Sequence, residues 1–285
     1  MRIYNLLRVS FVGLCVFAEV SSGAQPDGLT TTLNARTLTD AGNQWHAGIA
    51  LWQTTGAGEW QIEGDMSDGT AFRSHLEWND LNSTMVVLHG DFPAFSRIKI
   101  FGSCGFGIVT GGSNTDSDYF LSADHASVVQ QFSRSVSDSE GDTFYFDLNA
   151  AWQWFPFFRH NDNLFVSDLF CGFFVFQCGI NDSDGVQTVM YGQSVNEPFP
   201  GKNATYDFMW KAEEVGIRCY FRPDTRLSIA AEASMLVNAY QDGEGFWMLR
   251  NDLSPNSPNI RNNSGAGFGN RLSFSVIYRP WQHVR

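Results

Sequence analysis

Fourteen consecutive residues, 142 to 155, read as alternating apolar and polar side chains. Phe144, Phe146, Leu148, Ala150, Trp152 and Trp154 fall on one face; Thr143, Tyr145, Asp147, Asn149, Ala151 and Gln153 fall on the other. A period of two means a β-strand with one greasy and one wet side. In 72–78, Phe72, Leu76 and Trp78 oppose Arg73, His75 and Glu77. In 214–221, Val215, Ile217 and Phe221 oppose Glu214, Arg218 and Tyr220. In 226–240, Leu227, Ile229 and Met235 oppose Arg226 and Glu232, and in 271–278 Leu272, Phe274 and Val276 oppose Arg271 and Ser273. Further strands are expected near 45–62, 83–92, 96–110 and 164–179. The longest stretches exceed the five or six residues usual in soluble strands, whereas crossing a membrane takes about 9–11.

Composition narrows the choice. Charged residues are 17% of the chain and aromatics 15%, against about 25% charged in ordinary soluble domains. A net charge of −12 argues against a nucleic-acid partner. The apolar content excludes a disordered chain. No apolar run reaches the length of a spanning helix. Two classes remain: an outer-membrane β-barrel, and a secreted soluble β-sandwich, whose strands alternate too.

Residues 1–24 read as an export signal. Arg2 and Arg8 supply the positive start, Val9–Ala18 the short apolar core, and Ser22-Gly23-Ala24 a small-residue cleavage site. Residues 25–43 read as a flexible polar leader and 44–285 as the barrel. Cys104, Cys171, Cys178 and Cys219 have neither a disulfide-framework spacing nor a zinc spacing. They read as apolar filler, with room for one bridge.

Connection lengths alternate. Short turns are expected at Asp80–Asn82, Pro93-Ala94, Arg159–Asn163 and Arg222–Thr225, and long polar loops at 111–141, 181–204 and 242–266. Long loops at one end and tight turns at the other are the plan of an outer-membrane barrel. The greasy faces would meet lipid, and the wet faces a polar lumen. If the acids line that lumen, they favour cations over anions.

The stretch from Arg73 to Phe146 resembles the omptin family of outer-membrane proteases. Ser74-His75-Leu76-Glu77-Trp78 is similar to that family's Ser-x-Leu-x-Trp strand. Phe92-Pro93 followed by Ile98–Gly107 is similar to its next hairpin. Gly111–Tyr119 resembles its Gly-rich approach to an Asp-x-Asp-aromatic loop, and Tyr145–Asn149 its returning strand. The resemblance implies an up-and-down antiparallel transmembrane β-barrel of about ten strands. It also implies a water-activating site in which an Asp pair faces a His-Asp pair across the mouth. Asp116 and Asp118 match the first pair.

The second pair would fall after 240, where Gln241-Asp242-Gly243-Glu244-Gly245 offers the acids Asp242 and Glu244 but no His. The six histidines are His46, His75, His89, His125, His160 and His283. Only His125, in the loop with Asp116 and Asp118, stands as a substitute, and a lone loop His is more often simply solvated. Glu59 is the nearest candidate for reading a basic substrate side chain. The expectation is therefore a non-proteolytic barrel with a porin-like, adhesion or envelope role. The alternatives are an omptin-type endopeptidase cleaving near basic residues, and a secreted soluble β-sandwich that binds a ligand such as a glycan. Four Asn-x-Ser/Thr sequons, at Asn82, Asn181, Asn203 and Asn262, would bear on the last only in a glycosylating host.

No cofactor and no metal are expected. Asp116 and Asp118, or Asp182-Ser183-Asp184-Gly185, carry the oxygen ligands of a calcium site, but Asp, Asn, Ser and Gly are also turn formers, which is the favoured reading. Expected partners are outer-membrane lipid and lipopolysaccharide, with a protein or peptide ligand at the extracellular loops. The strand count comes to nine, and the chain stops at Trp281–Arg285 without a terminal aromatic strand. Either the closing strand is missing from this sequence, or one near Glu244–Arg250 completes an even number.

Overall fold

The computed structural model describes residues 10–14, 46–65, 68–95, 97–160, 163–223, 227–248, 258 and 260–278. The expected cleavage site, the polar leader and the chain end at 279–285 lie outside them. Nine strands follow one another in chain order: β1 Ser10–Leu14, β2 His46–Asp65, β3 Ala71–Phe95, β4 Ile98–Leu121, β5 Val128–His160, β6 Asn163–Met190, β7 Gln193–Arg222, β8 Leu227–Trp247 and β9 Ile260–Tyr278. They form one sheet in which each strand pairs antiparallel with the next, from β1 to β9. β1 lies within the apolar core expected of the export signal and runs along β2, with Ser10 opposite Ala57 and Leu14 opposite Gln53.

β2–β9 are long, from 19 to 33 residues. The segments expected as long polar loops are mostly strand. Residues 111–121 continue β4, 128–141 open β5, 181–190 end β6 and 193–204 open β7. Their Ser, Thr and Asn side chains suit a sheet that stands in water, where composition alone does not separate strand from loop. The connections β3–β4, β5–β6 and β6–β7 take only two residues each, whereas β8 and β9 are twelve residues apart, within the long loop expected at 242–266. Tyr191 and Gly192, both at positive φ, turn β6 into β7.

Asp80–Asn82 is not a turn either. Residues 72–78 and 83–92 belong to one strand, β3, whose ladder to β4 shifts between Asn79 and Asn82, with Asp80 at a φ of 52°. Asp tolerates that conformation, so a bulge forms where a hairpin was expected. Glu244–Arg250 supplies no extra strand, because β8 itself runs to Trp247. Among the described residues there are eight long strands, β2–β9, besides the short β1, against the nine counted in the sequence and the ten or so that the resemblance implies.

The sheet is rolled. Trp60 on β2 packs edge-on against Phe208 on β7 with ring centres 5.6 Å apart, and Trp52 on β2 meets Tyr145 on β5 at 5.1 Å. Phe101 on β4 meets Phe170 on β6 at 5.3 Å. Strands far apart in the ladder thus touch across an interior.

That interior is partly ionic, and the outside is apolar. Leu88, Phe106, Leu148, Phe173 and Leu272 are exposed, whereas Asp147, Asn149, Asp168 and Glu214 are buried to 3% exposure or less. A soluble sandwich has the reverse arrangement, because water outside rewards buried apolar area at about 25 cal/mol per Å². An exposed apolar band around a polar interior suits lipid outside. The band runs through Ile49–Leu51, Val86–Phe92, Ile98–Ile108, Phe144–Trp154, Leu169–Phe173, Val215–Phe221 and Phe268–Val276. Beyond it the strands extend further as a sheet in water.

In that extension the pattern inverts. Leu76 and Trp78 point inward and are 0% and 1% exposed, while Arg73 and Glu77 face out. The greasy face of 72–78 therefore does not meet lipid, because water lies outside at this height.

Candidate functional site

The interior has three layers, set by which residues alternation and register turn inward. The first is ionic and lies at the height of the apolar band. β7 and β8 place Arg218 opposite Glu232, and β6 and β7 place Asp168 opposite Arg218. Arg218 donates from Nε and Nη2 to Glu232 Oε2 at 2.7 and 2.6 Å. Its guanidinium lies 3.5 Å from the centre of the Phe101 ring, and its Nη1 donates to the Tyr220 hydroxyl at 3.0 Å.

Arg271 on β9 donates from Nη2 to Glu232 Oε1 at 2.7 Å and to Glu214 Oε1 at 2.9 Å, and from Nη1 to Asp147 Oδ2 at 3.1 Å. The Tyr145 hydroxyl also bonds both Arg271 and Asp147. Ser234 Oγ donates to Glu214 Oε1 at 2.5 Å and Asn149 Nδ2 to Glu214 Oε2 at 3.3 Å. Asp147 Oδ1, Asn149 Oδ1 and Asp168 Oδ1 are buried and have no hydrogen-bond partner among the described residues. Buried polar atoms of this kind are ordinarily satisfied, by protein or by water.

The second layer is aromatic. Trp60, Trp78, Tyr206 and Phe208 interlock, with Trp78 and Tyr206 edge-on at 4.9 Å and Tyr206 and Phe208 stacked at 6.2 Å. Leu76, Val109, Cys178 and Ile180 complete the cluster. A cavity of about 40 Å³ remains beside it, lined by Trp78, Leu81, Val109, Phe176, Phe208 and Trp210 among others.

The third layer lies in the extension, outside the membrane band. Asp182 is 2% exposed; it accepts from Asn114 Nδ2, and from Ser139 Oγ at 2.6 Å. Burial pushes its carboxyl up to about 6, against the opposing pull of those two donors. Asn203 Nδ2 donates to Ser137 Oγ at 3.2 Å. Burial raises the Tyr206 hydroxyl, helped by the nearby charges of Asp116 and Asp182.

Asp116 and Asp118 belong to this layer. They stand two residues apart on β4, opposite the buried Leu76 and Ser74, and so face inward. Ser74 Oγ donates to Asp116 Oδ1 at 3.3 Å. Asp242 and Glu244 do not join them. On β8 the inward positions are Gln241, Gly243 and Gly245, opposite Trp210, Phe208 and Tyr206, so the two acids face out. Glu244 pairs with Arg261 at 3.2 Å. His125 lies in the β4–β5 turn, with Nε2 3.2 Å from Asp65 Oδ1. Glu59 faces out, 3.6 Å from His75. Asp184, at a φ of 51°, accepts the Gly201 N–H at 2.9 Å; it lies within β6, where the ladder to β7 shifts, so this run forms a bulge in a strand and not the expected turn.

All four described cysteines are free thiols: Cys178 is buried and Cys171 exposed. Sequence reasoning did not single out Asp147, Glu214, Arg218, Glu232 or Arg271. Their signal was charge at inward parity on strands whose other face is apolar.

A family model described as "Pom: Protochlamydia outer membrane protein" matches residues 52–279. No curated protein matches the chain.

Proposed function

Since the chain belongs to the Protochlamydia outer membrane protein family, we propose that this outer-membrane protein is a non-proteolytic, porin-like barrel passing small ions and solutes through its charged interior. One observation carries the reading: at the height of the apolar band, the interior holds a cluster of acidic and basic side chains (Asp147, Asp168, Glu214, Arg218, Glu232 and Arg271) beside the apolar Met85, Val87, Phe101 and Phe170. On β5, Asp147 is buried inside between Phe146 and Leu148, which face out. Interior charges within a membrane are costly and mark a polar path. Inward acids (Asp91, Asp147, Asp168, Glu214, Glu232) outnumber the bases Lys99, Arg218 and Arg271. Cations are therefore favoured. Residues 1–24 act as the export signal, and the apolar band meets outer-membrane lipid and lipopolysaccharide.

The test is reconstitution of the detergent-purified protein in a planar bilayer. Discrete conductance steps and a cation-sided reversal potential in a salt gradient are expected. A folded barrel that never conducts overturns the reading.

The aromatic layer favours a second reading: a plugged barrel serving adhesion or envelope structure, with a protein or peptide ligand on its extracellular turns. Silence in the bilayer supports it. The inward pair Asp116 and Asp118 favours a third, the omptin-type endopeptidase. Cleavage of a dibasic peptide that is lost in Asp118→Ala would replace the porin reading with that one. No turnover by folded protein is expected.

A further inference from the structure

We propose that Arg218, Glu232 and Arg271 form an ionic strap across the lumen that sets its width and its preference between cations and anions. The inference rests on the conducting barrel just proposed and names the residues that govern it. Glu232 is the centre: one carboxylate oxygen takes both Arg218 donors and the other takes Arg271, at 2.6–2.7 Å. From this centre the charges reach opposite walls. Arg218, on β7, comes within 3.9 Å of Asp91 on β3 and covers the Phe101 ring on β4. Arg271, on β9, reaches Asp147 on β5 and Glu214 on β7.

Among the described residues, β3 pairs with β2 and β4 alone, and β5 with β4 and β6 alone. The links to Asp91 and Asp147 therefore cross the interior instead of following the wall. An ion moving at membrane height has to pass this layer. The strap is also partly open to solvent on its basic side: the side chains of Arg218 and Arg271 are 16% and 22% exposed, against 10% for Glu232 and 0% for Glu214. The arginines thus screen Glu232, Glu214 and Asp147, whereas Asp91, at 26%, stays open to solvent beside Arg218. Taking away a guanidinium should widen the path and uncover carboxylates, whereas neutralising Glu232 should leave two guanidinium groups short of a counter-charge.

The fork of Arg271 is what spans several carboxylates at once, and a lysine keeps the charge without the fork. The test measures single-channel conductance and reversal potential for the parent and for Arg271→Lys, Arg271→Ala and Glu232→Gln. Each protein is first checked for heat-modifiable migration as a sign of folding. Arg271→Lys, the mildest change, keeps the test alive if the alanine variant does not fold.

Expected are a higher conductance with little change in reversal potential for Arg271→Lys, and a higher conductance with a shift toward cations for Arg271→Ala. Glu232→Gln should shift toward anions. Conductance and selectivity equal to the parent in every folded variant would overturn the strap and leave the porin reading standing. A silent parent with a conducting Arg271→Lys would support the strap as a closed gate and overturn only the open-channel reading. Silence of the folded parent and folded variants alike would remove both.

Discussion

Asp182 shows how one inward carboxyl ties together the part of the sheet that extends beyond the apolar band. It joins Asn114 on β4 to Ser139 on β5, and it is out of reach of water at 2% exposure. Burial raises it from an ordinary 3.8 to about 6. The folded protein therefore holds this proton more tightly than the unfolded chain. The stability tied to it is fully present below about pH 4 and is lost as pH rises through about 6. The full difference is about 3 kcal/mol. Measured as the midpoint of heat-modifiable migration, stability should rise as pH falls from about 7 to about 4, and Asp182→Asn should flatten that part of the profile. A variant with the parent's profile would show that another group controls it. In the sequence Asp182 reads as a turn former or calcium ligand in an Asp-Ser-Asp-Gly run, because residue types alone do not tell which of these acids a strand turns inward.

Between elements, one tight restraint is the approach of β5 to β6. A Cβ on Gly172 would lie 2.2 Å from the Leu148 carbonyl oxygen and 2.2 Å from Asn149 Oδ1. Asn149 in turn holds Glu214. Gly172→Ala must therefore push the strands apart or displace that contact, at about 1–3 kcal/mol. It should lower the heat-modifiable midpoint clearly, whereas Gly58→Ala, with nothing within 4 Å of the added Cβ, should leave it nearly unchanged. Equal effects would remove close packing as the cause. Element identity was legible from alternation: residues 143–154 point as their parity says, with Phe144–Trp154 out and Thr143–Gln153 in. Phase along a strand was not. The ladder of β8 shifts between Leu236 and Gln241. Glu232 therefore faces in and Asp242 faces out, although both carry even numbers. A similar shift between Val109 and Ser113 turns Asp116 and Asp118 inward. A bulge adds a residue without altering composition, so no pattern of residue types announces which face follows it.

For the whole molecule, the governing fact is a sheet whose outside suits lipid in one zone and water in the next. Backbone groups at a free strand edge in lipid cost several kcal/mol each. The cross-interior contacts of Trp52, Trp60 and Arg271 already roll the sheet toward closure. A closed barrel with every ladder paired resists detergent far longer than its outer surface would suggest. Membrane-extracted protein should therefore migrate faster on a detergent gel unboiled than boiled. Cys104, Cys171, Cys178 and Cys219 are unbridged, so the unboiled mobility and its midpoint should be the same with and without reductant. A midpoint lowered by reductant would mean that a disulfide, and not hydrogen bonding around the sheet, holds the fold. Identical mobility of boiled and unboiled samples would overturn the closed barrel, and with it both the conducting path and the strap across it.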